Sequence, residues 1–179
     1  NVRKVREMAE IAHSYGATIE GELGHVGDNE GSFEGDSHTN DPSRFYTDPA
    51  QAKDFVEKTG VDALAIAVGT AHGAYKLPPK LDFERIRTIA NTISVPLVLH
   101  GGSGLTDQDF KMAIREGISK VNIFTDINVA AVEAAFRDFQ SMNKGIIDLI
   151  PAAVEATKQE VIKKIELFGS NGKGRNIDL

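Results

Sequence analysis

Val61-Asp62-Ala63-Leu64-Ala65-Ile66-Ala67-Val68-Gly69-Thr70-Ala71-His72-Gly73 is an apolar run that stops at one glycine and closes on a histidine followed by another. A short apolar run bounded by turn residues reads as a strand buried on both faces, here over 61–68. The pattern returns one unit later, where Val95-Pro96-Leu97-Val98-Leu99 leads into His100-Gly101-Gly102-Ser103-Gly104. Between the two lies a helical stretch over 81–92 with Asp82 as its cap. Upstream, Asp48-Pro49 opens a helix over 50–59 that stops at Gly60. Before it come a helix over 1–15, with Val5, Met8, Ile11 and Ala12 on one stripe, the stop Gly16, and a strand over 17–23. Downstream, Thr106 and Asp107 open a helix that reaches Arg115, Gly117 ends it, and a strand follows over 120–124. A longer helix begins near Asp126, and an amphipathic helix closes the series over 151–168.

Strands alternating with helices, most of the strands largely apolar, predict an α/β protein with a parallel sheet. Polar residues gather where the strands end: Glu22, then Thr70 and His72, then His100, then Asn122 and Thr125. Chemistry sits on this C-terminal rim in β/α barrels. The reading is a single domain over 1–179 that supplies about the C-terminal half, four strands, of a TIM (β/α)8 barrel. An N-terminal half is expected outside this chain, and a doubly wound open sheet is the alternative. The polar loop from Gly24 to about Asp48 is unusually long, as lids and binding segments often are.

Composition narrows the function. The 179 residues carry a formal net charge of -6 and no long basic run, which argues against a nucleic-acid partner. No apolar stretch has a membrane-spanning length and no signal peptide opens the chain, so a membrane partner is not expected. There are 0 cysteines, so a transition metal has to be held by His, Asp or Glu. A cytoplasmic location fits.

His72 and His100 end adjacent strands, which in a parallel sheet lie about 4.8 Å apart, so their rings can converge on one ion. Imidazole suits zinc and related divalent metals, and Glu22 points toward the same rim. Gly101-Gly102-Ser103-Gly104 offers backbone N–H groups to an anion just ahead of a helix start. Asn122-Ile123-Phe124-Thr125-Asp126 joins a strand to a helix one unit later, where barrels commonly hold phosphate. Glu30, in the long loop, could swing in as a proton carrier. His13 is read as a helix-surface residue, and His25 and His38 as ordinary loop histidines.

These motifs occur in one order: Glu22-Leu23-Gly24, the loop with Glu30, Gly69-Thr70-Ala71-His72-Gly73-Ala74-Tyr75-Lys76, Lys80-Leu81-Asp82-Phe83-Glu84-Arg85, His100-Gly101-Gly102-Ser103-Gly104 and Lys120-Val121-Asn122-Ile123. Together they resemble the class II fructose-bisphosphate and tagatose-bisphosphate aldolases over nearly the whole chain. The resemblance implies a zinc enzyme, a homodimer or homotetramer, that reversibly cleaves a ketose bisphosphate to dihydroxyacetone phosphate and an aldehyde. It implies that His72 and His100 are two of three zinc-binding histidines, and that Glu22 is the carboxylate some members use for a second divalent ion. Gly73 and Gly101-Gly102-Ser103 match the phosphate loop, which also holds Na+ or K+ in some members. Asn122, Ile123, Phe124 and Thr125 match the segment that grips the substrate, Asn122 with a catalytic role, and Glu30 matches the acid that moves the substrate proton.

Three departures qualify the match. The third zinc histidine and its neighbouring catalytic aspartate belong to an early strand that this chain lacks. Fructose-specific members carry aspartate at the position of Phe124 and tagatose-type members a small residue, so a bulky ring implies a different or smaller sugar. The loop from Gly31 to Tyr46 is longer than usual. The competing readings are a metal-free phosphate-binding barrel such as an isomerase, and a non-catalytic subunit or chaperone-like relative of a true aldolase.

Overall fold

Four parallel strands form the central sheet, and their order across it, β1-β3-β5-β6, is their order along the chain. They are β1 (Glu20–Leu23), β3 (Ala63–Ile66), β5 (Leu97–Leu99) and β6 (Ile118–Val121). A doubly wound sheet would place a later strand on the far side of the first. Here each strand is simply added beside its predecessor, as in a β/α barrel. The computed structural model describes residues 1–28, 42–72, 79–141 and 145–174, with backbone alone for 27, 28, 42, 43, 72 and 141. Glu30 and Gly73 lie outside the described residues.

Helices α1 (Val2–Ser14), α2 (Pro49–Thr59), α3 (Phe83–Ala90) and α4 (Asp107–Glu116) each lie against the next. Their boundaries follow from local chemistry. Asp48 accepts the Gln51 N–H at 2.9 Å at the start of α2, with Pro49 in the first turn where its missing N–H costs nothing. Asp82 accepts the Arg85 N–H at 3.0 Å, and Thr106 forms a reciprocal capping box with Asp109. A second, two-stranded parallel sheet joins β2 (Gly27–Asp28), which follows β1, to β4 (Ala71–His72), which follows β3.

The sheet has two unlike faces, because successive side chains of a strand point to opposite sides. Register places Gly21 beside Leu64 and Leu64 beside Leu97. A Cβ on Gly21 would meet Phe55 and Val61 at 3.0 Å, so this face looks onto α2. Leu64, Ile66, Val68, Leu97 and Leu99, with Phe55, Ile86, Ile89 and Phe110 of the helices, are at most 3% exposed and form the core. Each such side chain contributes about 1.5–3 kcal/mol by leaving water. The opposite face carries Glu20, Glu22, Ala63, Ala65, Val98 and Lys120.

The chain divides into two units, Asn1–Asn122 and Ile123–Leu179. The second unit holds α5 (Thr125–Ser141) and α6 (Ile146–Leu167). Lys164, near the end of α6 and 8% exposed, donates to Asp126 Oδ2 at 2.8 Å at the start of α5, so the two helices run antiparallel. None of the described helices is long and apolar enough to cross a membrane.

Several expected boundaries move: the strands expected over 17–23 and 61–68 shorten to Glu20–Leu23 and Ala63–Ile66, and two further shifts have a local cause. The strand expected over 120–124 is Ile118–Val121, because the Phe124 carbonyl already accepts the Asn128 N–H at 3.2 Å and so belongs to the start of α5. The last helix begins at Ile146 rather than near Pro151. Asp148 accepts the Gly145 N–H at 3.0 Å and caps that end, and Pro151 sits inside the helix, where it forgoes one backbone hydrogen bond.

Candidate active site

Thr47, 1% exposed, fixes the ends of two strands against each other. Its hydroxyl donates to the Leu23 carbonyl at 2.5 Å and accepts the Ala67 N–H at 2.8 Å. Gly24 is required beside it, since φ is +94° and a Cβ would lie 2.7 Å from the Thr47 hydroxyl. That junction sets the height of Glu20 and Glu22, which share one face of β1.

His100 follows β5 directly, and its ring lies between the two acids. Nε2 hydrogen-bonds Glu20 Oε1 at 2.9 Å, and Nδ1 lies 2.7 Å from Glu22 Oε2. The His100 side chain is 16% exposed. β1 and β5 are two strand spacings apart, about 9.6 Å. The contact is possible because β3 between them presents Ala63 and Ala65, whose methyl groups leave room for longer neighbours to meet above them. Lys120 of β6 closes the cluster, donating from Nζ to Glu20 Oε2 at 2.7 Å. Burial would push the Glu20 carboxyl up, but the hydrogen bonds and charges of Lys120 and His100 outweigh it and hold the group below its usual value.

The glycine loop begins beside this ring. Gly101 has φ +66°, and a Cβ there would lie 2.4 Å from the Ala71 carbonyl oxygen, so its backbone is pressed against that of β4. The residues next to His72 and His100 therefore touch, although the His72 side chain itself lies outside the described residues. Gly102 donates its N–H to the Asn122 carbonyl at 3.2 Å, and Asn122 donates its own to the Leu99 carbonyl at 2.9 Å. Ser103 is 5% exposed within this loop. In the second unit, Ile123 precedes α5, Phe124 is 76% exposed, and Thr125 is the first residue of α5.

The structure thus brings Glu22 to His100, sets the glycine loop against the Ala71–His72 strand, and ties Gly102 to Asn122. Among the described residues, no three His, Asp or Glu side chains form a ready cation-binding set. The donor chemistry of His100 and Glu22 does suit zinc, which takes imidazole nitrogen and carboxylate oxygen. Glu20 and Lys120 were not singled out from sequence, though Glu20-Gly21-Glu22 places two acids at strand period on one face. His13, read as a surface residue, holds Asp62 at 2.9 Å, and Asp62 also accepts the Ile19 N–H at 2.8 Å. That pairing ties α1 to the start of β3.

The sequence profile of the family described as Fructose-bisphosphate aldolase class-II matches residues 1–173. The chain belongs to this class II aldolase family. The uncharacterized protein YdjI of Escherichia coli strain K12 is 42% identical over 173 residues, which is 97% of this chain and 59% of YdjI. The crystal structure of the YdjI aldolase superposes with a TM-score of 0.80 at 39% identity, covering 98% of this chain and 58% of that one. A putative fructose-1,6-biphosphate aldolase from Coccidioides immitis gives a TM-score of 0.80 at 29% identity over 97% of this chain and 59% of its own. The fructose-bisphosphate aldolase of Campylobacter jejuni, at 23% identity and a TM-score of 0.74, shares the fold. The chain therefore spans a little under three fifths of these class II aldolases, and its four parallel strands are part of a TIM barrel.

Proposed function

We propose that this chain is part of a zinc-dependent aldolase that reversibly cleaves a ketose bisphosphate, fructose 1,6- or tagatose 1,6-bisphosphate or a related ketose phosphate, to dihydroxyacetone phosphate and an aldehyde. The observation that carries this reading is His100 at a strand tip with a carboxylate beside each ring nitrogen, in a chain of this family.

His72, His100 and Glu22 would hold the metal, Glu22 serving a second divalent ion where one binds. When bound, zinc supplies Lewis-acid stabilisation for negative charge on the substrate carbonyl oxygen. The protein's own residues do the rest. The amides of Gly73, Gly101 and Ser103 hold a phosphate, with Na+ or K+ beside them, and fix the reacting carbons, while Gly102, expected in the same role, gives its N–H to the Asn122 carbonyl and shapes the loop instead. Asn122, with Ile123, Phe124 and Thr125, orients the sugar, and Glu30 carries the proton exchanged on the three-carbon product. Phe124 sets the size of sugar accepted. The two units are read as one domain of a cytoplasmic homodimer or homotetramer.

The test is aldol cleavage by the full-length protein across a panel of ketose phosphates, before and after chelation. Activity that is lost to a chelator and restored by zinc supports the reading. Activity indifferent to chelation points to a metal-free barrel, and no cleavage of any ketose phosphate points to a non-catalytic relative. Replacing Phe124 with Asp should move relative kcat/KM toward fructose 1,6-bisphosphate. An unchanged ranking of substrates removes Phe124 from specificity.

A further inference from the structure

We infer that Glu20 and Lys120 are positioning residues for His100: Glu20 holds the proton on Nε2, so that Nδ1 is the nitrogen presented to the cation, and Lys120 holds Glu20. This rests on the zinc reading above and adds to it two residues and one ring orientation.

A carboxylate only accepts hydrogen bonds, and each ring nitrogen of His100 faces one: Nε2 lies 2.9 Å from Glu20 Oε1 and Nδ1 2.7 Å from Glu22 Oε2. A ring nitrogen that carries a proton has no lone pair for a metal. A cation therefore displaces the proton of one nitrogen: Nδ1, which it can share with Glu22, while Nε2 goes on donating to Glu20, whose other oxygen is held by Lys120. Position along the strand agrees. Glu22 lies two residues closer than Glu20 to the C-terminal end of β1, the rim from which ligands enter a barrel. Nδ1 therefore faces the rim and Nε2 faces the interior.

Lys120 completes the device. One oxygen of Glu20 takes the imidazole and the other takes the Lys120 ammonium at 2.7 Å, so both oxygens are committed and the carboxylate cannot rotate freely. An ordinary surface ion pair would not join three strands through one carboxylate. Metal-bound histidines commonly carry such an outer partner, and its loss lowers metal affinity about 10–100-fold.

The experiment uses the full-length protein and the variants Glu20→Ala, Glu20→Gln and Lys120→Met. Zinc affinity is measured by chelator competition, and the cobalt-substituted protein gives visible absorption bands that report ligand geometry. Glu20→Ala should weaken zinc about 10–100-fold and alter the cobalt bands. Glu20→Gln keeps an oxygen acceptor and should recover part of the loss, and Lys120→Met should weaken zinc less than Glu20→Ala. Should Glu20→Ala fail to fold, Glu20→Gln and Lys120→Met carry the decision. Zinc affinity and cobalt bands like those of the wild type in every folded variant overturn the positioning role while leaving the zinc reading intact. A wild-type protein that binds no zinc overturns both.

Discussion

The two faces of the central sheet are built from alternate residues of the same short strands, yet they do opposite things. Toward the helices, Leu64, Ile66, Leu97 and Leu99 are large, apolar and essentially unexposed. On the other side, Glu20 and Glu22 reach His100 across a floor of alanines, and Lys120 reaches Glu20. The first face gains its stability from volume and close packing. The second needs space left unfilled, so that charged groups from strands two and three spacings apart can meet. A period of two residues is enough to keep the two tasks separate, and that separation can be broken one face at a time.

The largest effects should come from one substitution on each face. His100→Ala should lower aldol cleavage by roughly three orders of magnitude or more, the scale of losing a Lewis acid, with little change in thermal stability. Phe110→Ala should do the reverse. Phe110 is fully buried, and its loss should cost about 3–5 kcal/mol in denaturant unfolding while the folded fraction keeps its kcat. If each variant instead lost stability and activity together, the two faces would not be separable.

A smaller effect tests the alanine floor. Ala65 is 0% exposed between the acids and His100, and Ala65→Leu should cost about 1–3 kcal/mol by overpacking. It should also weaken zinc binding, because the new side chain occupies the space over which Glu22 and His100 meet. Normal zinc affinity in a folded Ala65→Leu protein would mean that the floor does not matter.

The smallest effect lies on neither face. The hydrogen bond from His13, together with the Ile19 N–H, holds the Asp62 carboxyl below its usual value. A carboxyl depressed in the folded state contributes stability above its unfolded pKa, and that contribution is lost as pH falls through the folded value. Asp62→Asn should therefore flatten the acid limb of the stability profile at and below the ordinary aspartate range, with cleavage near neutral pH unaffected. An acid limb identical to the wild type would show that the pair does not persist in solution.

Much of this architecture was legible in the sequence because caps and stops act locally. Asp48-Pro49, Asp82, the Thr106–Asp109 box, Gly60 and Gly117 each mark a boundary through groups a few residues apart. Pro151 was misleading for the same reason. Local preference places proline at a helix start, whereas the cap supplied by Asp148 and the run beginning at Ile146 extend the helix past it. The strand tip at His100 could be read from its own glycines. Its partners could not, since Lys120 meets Glu20 only through the register of four strands, and no local pattern encodes a contact between residues 100 positions apart. The Asp62 partner of His13 was hidden in the same way, 49 positions away.

The account stands on His100 presenting a ring nitrogen to a cation at the end of β5. The zinc content of the purified full-length protein, measured by elemental analysis in the wild type and in His100→Ala, addresses this directly. About one tightly held zinc per chain in the wild type, and none retained by His100→Ala, is the expected result. Equal zinc content in both, with cleavage unimpaired in the variant, would contradict it.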